Sequence, residues 1–101
     1  MNDQTITVIV AKDLEDLIPT FMTNRKKELE TLRTALDAGN MEQLRQLGHR
    51  MKGVGNSYGF ELISVLGKQI EDDAKARDLP GIEARIKAYT DYLACVKIIY
   101  E

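Results

Sequence analysis

The sequence predicts an all-α fold, an antiparallel up-down-up-down four-helix bundle with a short N-terminal extended segment and a short extra helix. Three observations predict it. Leu, Ala, Glu, Lys and Arg are plentiful while Pro occurs twice and Trp is absent, a balance that favours helices over a sheet. Apolar residues recur at helical spacing along most of the chain. The breaks between these stretches are short, and short connections join antiparallel neighbours. A chain of 101 residues supplies one modest core, so residues 1–101 are expected to form a single domain.

Residues 5–10, Thr-Ile-Thr-Val-Ile-Val, are β-branched and partly alternating, and are expected to be extended. This one segment cannot build a two-sided sheet, so it should lie along the bundle and cover part of its core. Leu14, Ile18, Phe21, Leu29, Leu32 and Leu36 then follow a helical spacing. Pro19 divides that run into a short helix before it and a long helix beginning near it, where a missing N–H has no consequence. The long helix should end at Ala38-Gly39-Asn40. A second helix is expected from about Met41 to Gly55, with Asn56-Ser57-Tyr58 as a turn.

The third helix should begin near Gly59-Phe60 and carry Leu62, Leu66, Ile70 and Ala74 down one stripe, stopping near Asp78-Leu79-Pro80-Gly81. Pro80 suits the first turn of the fourth helix. That helix is predicted to carry Ile82, Ile86, Tyr89, Leu93, Val96 and Tyr100, alternating steps of four and three that make a bundle stripe.

Composition excludes several classes of function. Hydrophobic residues make up 44% and charged residues 30%, ordinary for a soluble globular domain and unlike a disordered chain. Fourteen basic residues stand against 16 acidic ones, a net charge of −2, which lacks the basic excess of a nucleic-acid binder. The cluster Arg25-Lys26-Lys27 is followed by Glu28 and Glu30 and reads as a solvated helix face. One cysteine, Cys95, forms no intrachain disulfide, and its apolar surroundings suggest a small buried side chain. One His and one Cys do not assemble the usual zinc sites, so no metal is expected. The opening residues lack a basic signal-peptide run, and Ile6 to Ala11 is too short to span a bilayer. A reducing, cytoplasmic setting is expected, with no membrane partner.

The second helix carries the chemistry. At about 100° per residue from Leu44, the positions Leu47, Met51 and Val54 form the core face, whereas His49 falls at about 140°. Arg45, Lys52, Asn56 and Gly53 share its side of the helix. A lone exposed His is ordinarily only a surface residue. Here Gly53 is its neighbour four residues on, and a glycine inside a helix costs about 1 kcal/mol relative to alanine. Bare backbone is useful there if a partner must approach. Lys52, three residues after His49, brings an ammonium to the same patch, suited to an oxyanion. Gly48, Gly53, Gly55 and Gly59 are dense along this stretch, and close helix packing is expected to explain Gly48 and Gly59.

The run Leu47-Gly48-His49-Arg50-Met51-Lys52-Gly53-Val54-Gly55-Asn56-Ser57-Tyr58-Gly59-Phe60 resembles the signature of histidine-containing phosphotransfer (HPt) domains. That signature is H-x-x-K-G with a further Gly after five residues, followed by a helix; His49, Lys52, Gly53 and Gly59 match it. The close match runs from about Leu44 to Ala74, and the helical pattern fits over nearly the whole chain. The resemblance implies a phosphocarrier without a nucleotide site of its own. His49 would take a phosphoryl group on Nε2 and exchange it with the aspartyl phosphate of a response-regulator receiver domain. Lys52 would balance the phosphoryl charge, and Gly53, with Arg45, Asn56 and Gly59, would border the docking partner. Glu71 on the third helix would accept a hydrogen bond from Nδ1–H and fix the tautomer. Lys68, one turn before it, would be a second cation. Mg²⁺ is expected only on the receiver, and the partners would be a receiver, a sensor histidine kinase, or both.

Two other readings compete. A docking or regulatory bundle could bind a receiver or another signalling protein without being phosphorylated, but it would need neither His49 nor Lys52. A metal-dependent hydrolase is disfavoured by the single His and by acids spread over exposed faces. A monomer is expected, because the His49 face must stay free.

Overall fold

The computed structural model describes residues 5–101. A strand, β1 (Ile6–Val10), leads into a 3₁₀ helix, Lys12–Leu17. Four helices follow: α1 (Ile18–Asp37), α2 (Met41–Tyr58), α3 (Glu61–Lys75) and α4 (Leu79–Cys95). A second strand, β2 (Val96–Tyr100), ends the chain. The expected bundle is present, with its short extended segment and extra helix.

Helix boundaries follow local chemistry. Pro19 lies in the first turn of α1 and Pro80 in that of α4. The Asn40 side chain accepts the Gln43 N–H at 3.0 Å to cap α2, and Asp78 does the same for Gly81 at 3.0 Å to cap α4. Two expected limits are corrected. Asn56-Ser57-Tyr58 is the last turn of α2, not a loop. The Ser57 hydroxyl donates to the Gly53 carbonyl at 3.0 Å, and the chain leaves the helix only at Gly59, whose φ of +85° is left-handed. Tyr58 is held there by stacking on Phe21, with ring centroids 4.4 Å apart.

The second correction concerns the C-terminal end. α4 stops at Cys95, and β2 pairs in parallel with β1, Ile6 opposite Val96 through Val10 opposite Tyr100. Val96 and Tyr100 therefore belong to a strand and not to the helical stripe. Steps of four satisfy both periods, since positions 96, 98 and 100 also share one face of a strand. The β-branched run Val-Lys-Ile-Ile decides for the strand once β1 offers a ladder. The ladder is extended by Glu101 N–H to the Val10 carbonyl and Lys12 N–H to the Glu101 carbonyl, both 3.0 Å. The sheet lies over the end of the bundle where α2 turns into α3: the Ile9 carbonyl faces Gly59, and Ile6 shares a cavity wall with Leu62, Tyr92 and Cys95.

Leu32, Leu44, Met51, Phe60, Ile63, Ile70, Ile82, Ile86 and Tyr89 form the centre of the core, and Val10 seals it from β1. On α3 the buried stripe is Ile63, Leu66, Ile70 and Ala74; Leu62, placed in that stripe by spacing, is 38% exposed. Cys95 is half-buried. A polar group sits between α1 and α4: the Tyr89 hydroxyl donates to Glu28 Oε1 at 2.8 Å, and Arg25 Nε lies 3.3 Å from the same oxygen. Burial pushes both Glu28 and Tyr89 above their ordinary pKa values, Tyr89 further because it faces the Glu28 charge. No helix of the described residues is long and apolar enough to cross a membrane.

Candidate functional site around His49

The site depends on how closely α2 and α3 approach. Gly48 on α2 and Gly67 on α3 face each other backbone to backbone. A Cβ on Gly48 would fall 2.6 Å from both the Gly67 carbonyl oxygen and the Glu71 nitrogen, and a Cβ on Gly67 would fall 2.6 Å from Met51 Cβ. Farther along, Gly55 lies against Ser64 in the same manner, and the Ser64 hydroxyl donates to the Lys52 carbonyl at 2.7 Å. Any side chain at these glycines would separate the helices. Their absence brings the Glu71 backbone against the turn of α2 that carries His49.

In that arrangement the side chains of α2 and α3 converge on one carboxylate. Glu71 is only 6% exposed, whereas His49 is 65% exposed. Glu71 Oε2 lies 3.0 Å from His49 Nδ1, and Lys52 Nζ donates to Oε1 at 3.3 Å. Lys75, one turn beyond Glu71 on α3, brings its Nζ to 4.0 Å from Oε2. Burial pushes the Glu71 pKa up, but the hydrogen bonds from Lys52 and His49 and the charges of Lys52 and Lys75 outweigh it. The carboxyl is held below the usual carboxylate range. An ionised carboxylate only accepts, so Nδ1 carries a proton, and in the neutral ring this tautomer leaves the Nε2 lone pair free. The ring is gripped at its inner nitrogen on an otherwise open surface.

Of the residues singled out in the sequence, His49, Lys52 and Glu71 are brought into contact. Gly53 lies in the open, with nothing within 4 Å of where its Cβ would be, so it leaves a bare patch of helix one turn from His49. Arg45 sits on the same side but is tied to Glu42 by two hydrogen bonds, 3.0 and 2.5 Å. Asn56 is exposed in the last turn of α2. Gly59 serves the chain reversal after α2. Lys68 donates to both carboxylate oxygens of Asp72 at 3.0 Å and is not among the groups on Glu71. Lys75 was not singled out; its i,i+4 spacing from Glu71, acid first, was the available signal.

The Hpt domain family model matches residues 16–96, most of the chain. This chain belongs to the Hpt domain family. Among curated proteins and among solved structures nothing matches it. Membership gives the domain a phosphotransfer role in two-component phosphorelay, a setting in which Hpt domains meet receiver domains and histidine kinases. The matched span takes in all four helices and the whole group around Glu71.

Proposed function

We propose that this Hpt domain is a phosphorelay intermediate that carries a phosphoryl group on His49 Nε2 and exchanges it with the aspartyl phosphate of a receiver domain. The observation that carries this reading is the contact of His49 Nδ1 with the buried Glu71 at 3.0 Å on a side chain that is otherwise open. It fixes the tautomer in which the neutral ring keeps its proton on Nδ1 and its lone pair on Nε2. In the forward step Nε2 attacks phosphorus, the P–N bond forms, and the P–O bond of the acyl phosphate breaks with its electron pair leaving on the receiver's Asp carboxylate. The ring gains positive charge while keeping its proton on Nδ1, and the Glu71 carboxylate opposes that charge from 3.0 Å. Lys52, half-buried on the same face, turns its ammonium to the phosphoryl oxygens.

The rest of the machinery belongs to the partner. The receiver would contribute the aspartate and the Mg²⁺, and the Hpt domain would need neither metal nor nucleotide. Gly53 leaves room for the receiver's loops, and Arg45 and Asn56 border the patch. A domain working in this way is a phosphocarrier, and its contact with the receiver should be transient.

The test is incubation with a panel of phosphorylated receiver domains, scoring acid-labile, base-stable phosphate on the wild type and on His49→Gln. Label on the wild type and none on the variant is expected. Label persisting on His49→Gln would move the acceptor elsewhere. An intact bundle that takes label from no donor would favour a docking module that is not phosphorylated.

A further inference from the structure

Glu71 is served by more partners than one carboxylate needs while His49 is unmodified. From α2 come His49 on Oε2, Lys52 on Oε1 and, at longer range, the charge of Arg45; from α3 comes Lys75. Lys75 is 56% exposed and stands 4.0 Å from Oε2, within reach of an ion pair but not of a hydrogen bond. It is the loosely held member of the group. The other cations nearby are committed, Lys68 to Asp72 and Arg45 to Glu42. Among the described residues no second acid lies within pairing distance of Lys75.

Phosphorylation of His49 changes the demand on Lys52. On the reading of His49 as acceptor, on which this inference rests, a multiply charged phosphoryl group arrives one helical turn from Lys52. Lys52 is a single point charge and cannot hold both anions at full strength. As it turns outward, Glu71 Oε1 loses its donor at a position where the side chain is 6% exposed and water has little access. A buried carboxylate left short of partners takes up a proton, and a neutral Glu71 no longer opposes the charge on the phosphorylated ring.

We propose that Lys75 is a positioning residue that takes over Glu71 when Lys52 moves to the phosphoryl group, keeping the carboxylate ionised against the Nδ1–H of phosphorylated His49. The geometry suits such a relay. Lys75 extends from the next turn of the same helix and needs to close about 1 Å to reach hydrogen-bond distance. It does so beside His49, because a carboxylate oxygen has two lone pairs and Oε2 can accept from both the Nδ1–H and an ammonium while Lys52 leaves Oε1.

Phosphoramidate as donor tests this without a receiver: its P–N bond breaks, ammonia leaves, and the new P–N bond forms at Nε2. Wild type, Lys75→Met and Lys75→Arg are compared for the rate of uptake at His49. The ¹³C carboxyl signal of Glu71 is followed from pH 8 to pH 5 before and after phosphorylation. The wild-type signal should be flat in both states. Lys75→Met should be flat before phosphorylation, when Lys52 still pairs with Glu71, and move toward the protonated position after it. Its uptake should be slower by about tenfold, the equivalent of one pKa unit, and Lys75→Arg should restore both. A flat signal in both states of Lys75→Met with unchanged uptake would overturn the handover alone. A wild type that takes no phosphate on His49 would overturn the proposed function and the handover with it.

Discussion

Glu71 is the residue on which the site turns, and its ionisation gives the domain a pH signature. Its folded-state pKa lies below the ordinary value of 4.5, so it binds protons less readily folded than unfolded. The stability it contributes is therefore fully present above that ordinary value and is lost as pH falls through the folded value. Urea midpoints of the wild type and Glu71→Gln should differ at pH 7 and draw together on acidification below about pH 5. A gap that stays constant down to pH 3 would mean that the carboxylate is not held by Lys52, His49 and Lys75 as described. The same variant should accept phosphate more slowly, because an amide still accepts from Nδ1–H but carries no charge to oppose the ring.

A second residue-scale prediction lies away from the site. Tyr89→Phe removes the hydroxyl donating to buried Glu28 and leaves that acceptor short of a partner, which should cost about 1–3 kcal/mol in denaturant titrations with phosphate uptake unchanged. His49 and Lys52 were legible in the sequence, since a face analysis and a spaced motif both select them, whereas Glu71 came only with the family resemblance. The Glu28–Tyr89 bond was not, because 61 residues separate its partners and only tertiary packing brings them together.

Two helices, α2 and α3, act as one unit, and their glycines divide into two kinds. Gly48 and Gly67 allow backbone contact, whereas Gly53 touches nothing. Gly48→Ala should push α3 away from α2, destabilise the domain by about 1–3 kcal/mol through overpacking, and lengthen the His49–Glu71 contact. Gly53→Ala should raise stability by up to about 1 kcal/mol, because it only removes a poor helix former from an exposed turn. Thermal melts of the two variants should shift in opposite directions; equal shifts would contradict the packing described. The helix count was readable from the apolar spacing, and the starts of α1 and α4 from Pro19 and Pro80; the Asn40 cap of α2 emerged only in the structure. The end of α2 was misjudged because Asn56-Ser57-Tyr58 has turn-like composition, while a side-chain bond to Gly53 and an aromatic stack carry the helix through it.

At the scale of the whole fold, two strands far apart in sequence close one end of the bundle. β1 and β2 meet in parallel after four helices have intervened, and they cover the end of the bundle through Val8, Val10, Val96, Ile98 and Tyr100. The extended character of β1 was legible, but its partner was hidden because a strand face at 96, 98 and 100 shares positions with a helical stripe. The strand pair is remote from the chemistry, since it borders Gly59 at the turn after α2 while His49 lies ten residues earlier in the same helix. Deleting residues 96–101 should therefore separate stability from activity. Three half-buried apolar side chains and the whole ladder with β1 are lost, and Val10 loses its cover, so the domain should be destabilised by at least about 3 kcal/mol. Hydrogen exchange should show β1 amides losing protection while α2 and α3 keep theirs, because the Gly48–Gly67 contact does not involve the sheet. At a temperature where the shortened chain is still folded, His49 should take up phosphate at the wild-type rate. A chain that stays folded but loses uptake would mean that the sheet helps to set the α2–α3 spacing, and the site could no longer be treated as built by those two helices alone.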